Sequence, residues 1–315
     1  IAWPCSVSAS PLPRVTEKMM SPDTSRLHLA IQKSGRLSDF SRNLLRDAGL
    51  RIQHGKNDLT ARVENFPIDL MYVRDDDIPT FVSDGVCEFG IVGRNVLEEF
   101  ALGESEHRFE VVAPLGFGRC ELRIAAPVNF VYEGPASLAG ARIATSYPRL
   151  LQDFLDRNGV SATVVNMNGA VELAPRLQIA TFVCDLVSTG ATLEANGLTP
   201  VETVLESEAV MIRTRQPLTQ EKNEMATSML RRIDGVLATQ ESKYIMLNAS
   251  EEALPRIAEI LPGAEAPTII PLAGRPGHFA VHAVCKESVF WETLHDLKDA
   301  GASAILVMPI EKMMM

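Results

Sequence analysis

The chain lacks paired cysteines. Cys5, Cys87, Cys120, Cys184 and Cys285 are odd in number, far apart and without a CxxC step. That excludes a disulfide framework and fits reduced core thiols in a cytoplasmic protein. The 6 histidines lack metal-ligand spacing, which argues against a zinc centre. Positive charge is also scarce: 30 Lys and Arg against 40 Asp and Glu give a net charge of −10. Such a balance excludes a general nucleic-acid or anionic-membrane binder, while leaving room for a local basic pocket. No apolar run approaches the ~18 residues of a membrane helix. The opening stretch "IAWPCSVSASPLPRVTEKMM" has no basic segment followed by an apolar one, so it does not read as a signal peptide. Residues 1–25 read as a disordered extension or an upstream artefact, with Met19 or Met20 as a natural start. Nor does the sequence show a Ser/His/Asp or Cys/His arrangement for nucleophilic catalysis. His28 falls inside a strand pattern, where packing is its expected role.

What is present is an ordinary globular mix. The 315 residues are 46% hydrophobic and 22% charged, enough for about two to three domains. "LHLAIQ", "PIDLMYVR" and "CEFGIVG" read as strands. The helical patterns "LSDFSRNLLRDAG", "DDIPTFVSDG" and "RNVLEEFALG" alternate with them. Extended segments flank "LGFGRC", and a second alternation follows: "ARIATS", "YPRLLQDFLDRNG", "ATVVNMNG", "AVELAPRLQ" as a helix, and "TFVCDLVSTG". Strands alternating with helices predict βαβ units and parallel sheets. Crossovers near Gly116 and Leu198 predict two lobes around a cleft. After the long helical "TQEKNEMATSMLRRIDGVLATQ", the order is β-α-β-β-α-β, a ferredoxin-like unit turned at "AGRPGH".

Four stretches have the composition of a site. In "CDLVSTGATLEANG" an apolar strand runs into Asp185, then Ser188, Thr189, Gly190, Ala191 and Thr192. Small residues let backbone N–H groups approach an anion, and hydroxyls add donors, as a 5-phosphate requires. The plainer reading is an N-capped helix after a turn. "QKSGRLSDF" places Lys33, Gly35 and Arg36 at a strand end, suited to a polyphosphate or to a solvated loop. "VRDDDIP" sets Arg74 beside Asp75, Asp76 and Asp77, suited to a metal or nucleotide amine, or simply to the first turn of a helix. "NGAVELAP" carries Glu172, which could share one Mg²⁺ with Asp185 or lie on a surface helix.

Taken in order, "AIQKSGRL", "VRDDDIP", "IATSYP", "DLVSTGATLEANGL", "ESKYIM", "PTIIPLAG" and "PIEKMM" resemble the long form of the ATP phosphoribosyltransferase family, the first enzyme of histidine biosynthesis. The resemblance runs from about Arg26 to the C-terminus. It implies an α/β fold: a two-lobed, periplasmic-binding-protein-like catalytic unit plus a C-terminal ferredoxin-like (βαββαβ) regulatory domain. The first lobe would comprise residues 26–115 and 198–240, the second 116–197, and the regulatory domain 241–315. The implied reaction joins ATP, through adenine N1, to 5-phosphoribosyl 1-diphosphate with Mg²⁺ as cofactor. Asp185, Glu172 and Arg36 would be catalytic, with Glu172 and Asp185 also the metal ligands. Asp185 and Ser188 to Thr192 would bind the phosphoribosyl donor, and Lys33, Gly35, Arg36 and Arg74 would bind ATP. Histidine would bind near Asn248 and Thr268 as a feedback inhibitor, with the chain forming homodimers and homohexamers. Two other readings compete. A solute-binding module would use the same lobes without chemistry, and a regulatory paralogue would bind histidine without turnover. A secreted solute receptor would need a signal peptide and would leave the site stretches idle, and intact "KSGR" and "STGAT" argue against the paralogue.

Overall fold

The computed structural model describes residues 25–54, 59–104, 106–188, 190–239, 242–261 and 266–313. The terminal extension up to residue 24 and Thr189 lie outside them.

The first lobe is built on β1 (Leu27–Gln32), α1 (Ser38–Asp47), β2 (Ile52–His54), β3 (Thr60–Val63), β4 (Ile68–Val73), α2 (Ile78–Ser83), β5 (Phe89–Gly93), α3 (Arg94–Ala101) and β6 (Phe109–Pro114). The second contains β7 (Cys120–Pro127), β8 (Arg142–Thr145), α4 (Pro148–Arg157), β9 (Thr163–Asn166), β10 (Phe182–Val187), α5 (Ala191–Ala195) and β11 (Leu198–Ser207). The chain then returns through β12 (Ala209–Thr214) to α6 (Gln220–Leu237).

In the first sheet the order is β2-β3-β4-β1-β5-β12-β6, and β1 runs parallel to both β4 and β5. Alternation along β1 sends Leu27, Leu29 and Ile31 into a core with Leu44 and Leu45 of α1 and Met229 and Ile233 of α6. Ala30 turns the other way, toward Ile78 and Val82 of α2. Each such aliphatic side chain contributes about 1.5–3 kcal/mol by leaving water. The second sheet, ordered β11-β7-β10-β8-β9, packs Leu122, Ile124 and Phe182 against Leu151, Phe154 and Leu155 of α4.

A buried ion pair fastens α6 to the first sheet. Lys222 Nζ lies 2.5 Å from Glu88 Oε1, while the His28 backbone N–H donates to Glu88 Oε2. The His28 ring joins this polar cluster, with Nδ1 3.6 Å from Glu88 Oε2. Burial alone would raise the Glu88 pKa, but the bonds from His28 and Lys222 outweigh it and hold it at about 2. The folded-state pKa is depressed, so this stabilisation is present above the ordinary carboxylate range and is lost as pH falls toward 2. Lys222→Met leaves Glu88 buried without its cation, and chemical denaturation at pH 7 should show a loss of about 3 kcal/mol. An unchanged midpoint would mean that the pair does not fasten α6.

The third unit contains β13 (Ser242–Ser250), α7 (Leu254–Ile260), β14 (Thr268–Pro271), β15 (His278–Lys286), α8 (Glu287–Asp299) and β16 (Ser303–Pro309). Its strand order, β14-β15-β13-β16, places the first and third strands of the β-α-β-β-α-β run at the centre, as a ferredoxin-like unit requires. Ile245, Leu247 and Ala249 face α7 and α8, where Ile257 and Leu297 close the core.

Three local features differ from the sequence reading. "AVELAPRLQ" is no α-helix: it forms a 3-10 turn at Val171–Leu173. Pro175 lacks an N–H, and Ala170 and Gln178 take positive φ of 50° and 56°, which ends the helical path on both sides. The return crossing falls at Glu208 rather than near Leu198, because β11 pairs along its length with β7 in the second sheet. Two short strands, β2 and β3, extend the outer edge of the first sheet, although their residues carry no strand pattern in the sequence.

Candidate active site

The parallel strands of both lobes end in loops that carry the polar stretches singled out above. After β1 come Lys33, Gly35 and Arg36, all exposed. Gly35 holds φ at +116°, and a Cβ there would stand 2.8 Å from the Gln32 side-chain nitrogen. Gln32 Oε1 in turn accepts the Leu37 N–H, so the turn fixes how the two cations leave the strand. After β4, Arg74 pairs loosely with Asp76 at 3.6 Å, and Asp75–Asp77 form a 3-10 turn. Lys33, Tyr72, Arg74 and Asp75 line one recess of about 490 Å³.

Two polar atoms in this recess lack hydrogen-bond partners within the described chain. The Tyr72 hydroxyl and Asp75 Oδ1 are both buried and unpaired. Arg42 lies over the Tyr72 ring at 4.8 Å and keeps that ring in place. Burial first, then the charge of Asp76, raise Asp75 to about 6, with Arg36 acting in the opposite direction. The raised value means that folding favours protonated Asp75. That contribution is fully present below the unfolded pKa, near 3.8, and is lost as pH rises through about 6. Asp75→Asn is therefore expected to raise stability at pH 7 by about 1 kcal/mol, a gap that closes as pH falls toward 4. Melting curves across that range check it; destabilisation at pH 7 would contradict it.

In the second lobe Asp185 sits near the end of β10, and Oδ1 accepts the Leu186 N–H at 2.8 Å. Burial raises its pKa, Leu186 lowers it, and the neighbouring Glu172 raises it again. Glu172, on the Val171–Leu173 turn, is thereby placed within electrostatic reach of Asp185. Among the described residues no group of three or more His, Cys, Asp and Glu is poised to hold a metal. Two repelling carboxylates nevertheless fit Mg²⁺, which takes few protein carboxylates and completes its shell with water and substrate oxygens. Gly190 takes φ of 80° ahead of α5, where Ala191 and Thr192 are exposed. Ser188 opens onto a cavity of about 750 Å³ that Arg94 and Arg119 also line.

The lobes meet at Tyr147, the residue before α4. Burial raises the pKa of its phenol, and the charges of Asp185, Asp75 and Asp76 raise it further. One side chain thus feels acids from both lobes. Asn95, only 1% exposed, donates from Nδ2 to the Tyr147 hydroxyl at 2.9 Å. Composition at strand ends does not mark Tyr147, Asn95, Arg94 or Arg119 as site residues. "IATSYP" was a signal for the first, while the others acquire neighbours only through long-range folding.

In the third unit, Asn248 lies on β13 and Thr268 on β14, with β15 between them. Thr268 pairs with His282, and His282 with Met246, so Thr268 shares with Asn248 the sheet face turned away from α7 and α8. On this face the Tyr244 hydroxyl and His282 Nδ1 are 2.7 Å apart.

Comparisons with known proteins place the chain in a family. A family model described as ATP phosphoribosyltransferase matches residues 74–235, and one for the HisG C-terminal domain matches residues 239–312. An ATP phosphoribosyltransferase from Maricaulis maris (strain MCS10) is 52% identical over 292 residues, 92% of this chain and 99% of that one. The ATP phosphoribosyl transferase (HisG:HisZ) complex from Thermotoga maritima shares the fold with a TM-score of 0.57 at 24% identity, over 67% of this chain and 98% of that one. The chain belongs to the ATP phosphoribosyltransferase family of histidine biosynthesis and is a glycosyltransferase of the phosphoribosyltransferase class.

Proposed function

We propose that the chain joins adenine N1 of ATP to C1 of 5-phosphoribosyl 1-diphosphate, with inversion, to give N1-(5-phospho-β-D-ribosyl)-ATP and diphosphate. The N1 lone pair forms the new N–C bond, and the C1–O bond breaks with its electron pair leaving on diphosphate. The observation that carries this reading is the hydrogen bond from Asn95 of one lobe to the Tyr147 hydroxyl of the other, at 2.9 Å, with Asp75, Asp76 and Asp185 close enough to oppose ionisation of that phenol. This junction supports a reading in which the loops suited to the two substrates face one another. Positioning and charge stabilisation dominate such a reaction, because the transition state is oxocarbenium-like and needs no protein nucleophile.

In this reading Ser188, Thr189, Gly190, Ala191 and Thr192 hold the 5-phosphate, while Asp185 holds ribose hydroxyls. Lys33, Gly35, Arg36 and Arg74 receive ATP, and the unpaired Tyr72 hydroxyl and Asp75 Oδ1 offer polar partners beside them. Glu172 and Asp185 would hold Mg²⁺, which when bound offsets the charge of the diphosphate. Arg36 adds protein charge on the ATP side.

The third unit binds histidine as a feedback inhibitor on the face that carries Asn248 and Thr268. The same face supports assembly into dimers and hexamers of a cytoplasmic enzyme: Ile270, Leu306 and Met308 on it are 49%, 51% and 42% exposed.

Substitutions on the two lobes should separate the substrates. Ser188→Ala combined with Thr192→Val is expected to raise KM for the phosphoribosyl donor about 10-fold and leave KM for ATP unchanged. Arg74→Ala should do the reverse. Both changes acting on the same substrate would refute the division of the cleft.

A further inference from the structure

We propose that α3 and α4 form a clasp that holds the two lobes at working separation before either substrate arrives. The inference rests on the reading that the substrates occupy opposite lobes.

The helices are linked at two levels. At the first, Asn95 is the centre of a closed set of bonds. Its N–H donates to Ser207 Oγ at 3.0 Å, Ser207 Oγ donates back to Asn95 Oδ1 at 2.8 Å, and Nδ2 donates to the Tyr147 hydroxyl. Ser207 is the last residue of β11, directly before the crossing back into the first lobe. The Asn95 amide therefore touches α3, the crossover and the start of α4 together.

One helical turn further along α3, Glu99 reaches the N-terminus of α4. Its Oε1 accepts the Arg149 N–H at 3.0 Å, and its Oε2 accepts the Leu150 N–H at 2.9 Å. Pro148 occupies the first helical position and has no N–H to offer. The Glu99 carboxylate thus caps another lobe's helix through two amides that have no partner within their own helix. Arg149 returns the contact, donating from Nη1 to the Glu99 carbonyl at 3.2 Å.

The glycines flanking α3 leave the room this needs. A Cβ on Gly93 would stand 2.5 Å from Asn95 Oδ1, and a Cβ on Gly103 would stand 2.2 Å from Arg149 Cζ. Either substitution displaces a member of the clasp.

Asn95, Glu99 and Tyr147 are positioning residues: they keep the loops that bear Asp75 and Asp185 in register. A chain whose lobes swing apart spends part of its time in a form that cannot bind both substrates. Its apparent affinity for each then falls by the competent fraction, while turnover at saturation is retained.

The test combines amide hydrogen exchange, resolved to Arg149 and Leu150, with steady-state kinetics on the full chain. In the substrate-free wild type both amides should exchange at least about 10-fold more slowly than in Glu99→Ala, with the rest of α4 unchanged. Glu99→Gln, which keeps one acceptor oxygen, should fall between. Glu99→Ala and Tyr147→Phe should raise KM for both substrates by a common factor of about 10 and leave kcat within about 2-fold. A purely structural role would instead lower melting temperature and active fraction with KM unchanged, and that result overturns the proposal. So would amides that exchange freely until substrate is added, since the substrates would then be closing the lobes. A wild type that showed slow amides without transferase activity would refute the functional reading while leaving the clasp intact.

Discussion

Asp185→Asn is expected to lower kcat/KM by about 10²–10³-fold while leaving the protein at least as stable as the wild type. The two effects have one cause. Asp185 is held where burial and Glu172 both oppose its charge. A neutral amide of the same shape removes that opposition, so folding does not suffer. Catalysis does, because in the proposed reading the ribose hydroxyls and the cation that Glu172 would share both need the carboxylate. Steady-state kinetics alongside a melting curve separate the two effects. Wild-type activity in Asp185→Asn would move the donor site elsewhere, and a large loss of stability would make Asp185 a structural acid.

Arg36→Ala is expected to lower kcat/KM by about 10²-fold and to move the acid limb of the pH–rate profile to higher pH. The first effect follows from removing the guanidinium that, in the proposed reading, would face polyphosphate on the ATP side. The second follows from its neighbour. The charge of Arg36 lowers the pKa of Asp75, which burial and Asp76 have raised to about 6. Without that charge, Asp75 holds its proton to higher pH, and any step requiring its ionised form starts later. Arg36→Lys should restore the position of the acid limb more fully than the rate, because an ammonium supplies charge without the two-pronged geometry. An unshifted acid limb in Arg36→Ala would uncouple the rate from Asp75.

The elements most legible in the sequence are those whose signal is local. The strand "LHLAIQ" and the helix ended by Gly49 are set by alternation, periodicity and a residue able to take φ of 79°. The final β-α-β-β-α-β run is set by the same signals repeated. Where periodicity competed with a breaker, periodicity misled: "AVELAPRLQ" has a helical pattern, but Pro175 and the left-handed Ala170 reduce it to one turn. The strands Ile52–His54 and Thr60–Val63 are too short and polar to stand out from loop, and they exist because they pair with each other and with β4. The return crossing was displaced because nothing in "TPVETVLESEAV" says which sheet it will join.

The site divides in the same way. Asp185 with its hydroxyl-rich turn, and the cations of "QKSGR", announce themselves by composition at strand ends. Tyr147, Asn95 and Glu99 do not, since their roles come from contacts 50 residues or more along the chain. An asparagine in the first turn of a helix is unremarkable in sequence; only the fold places Ser207 and Tyr147 on its two sides.

The most direct measurement is product formation, followed by absorbance, when the full chain is given ATP, 5-phosphoribosyl 1-diphosphate and Mg²⁺ with diphosphate removed, in the presence and absence of histidine. A phosphoribosyl-ATP product that requires both substrates and is suppressed by histidine is expected. Binding of both ligands without product would contradict the account, and product indifferent to histidine would contradict the regulatory role of the third unit.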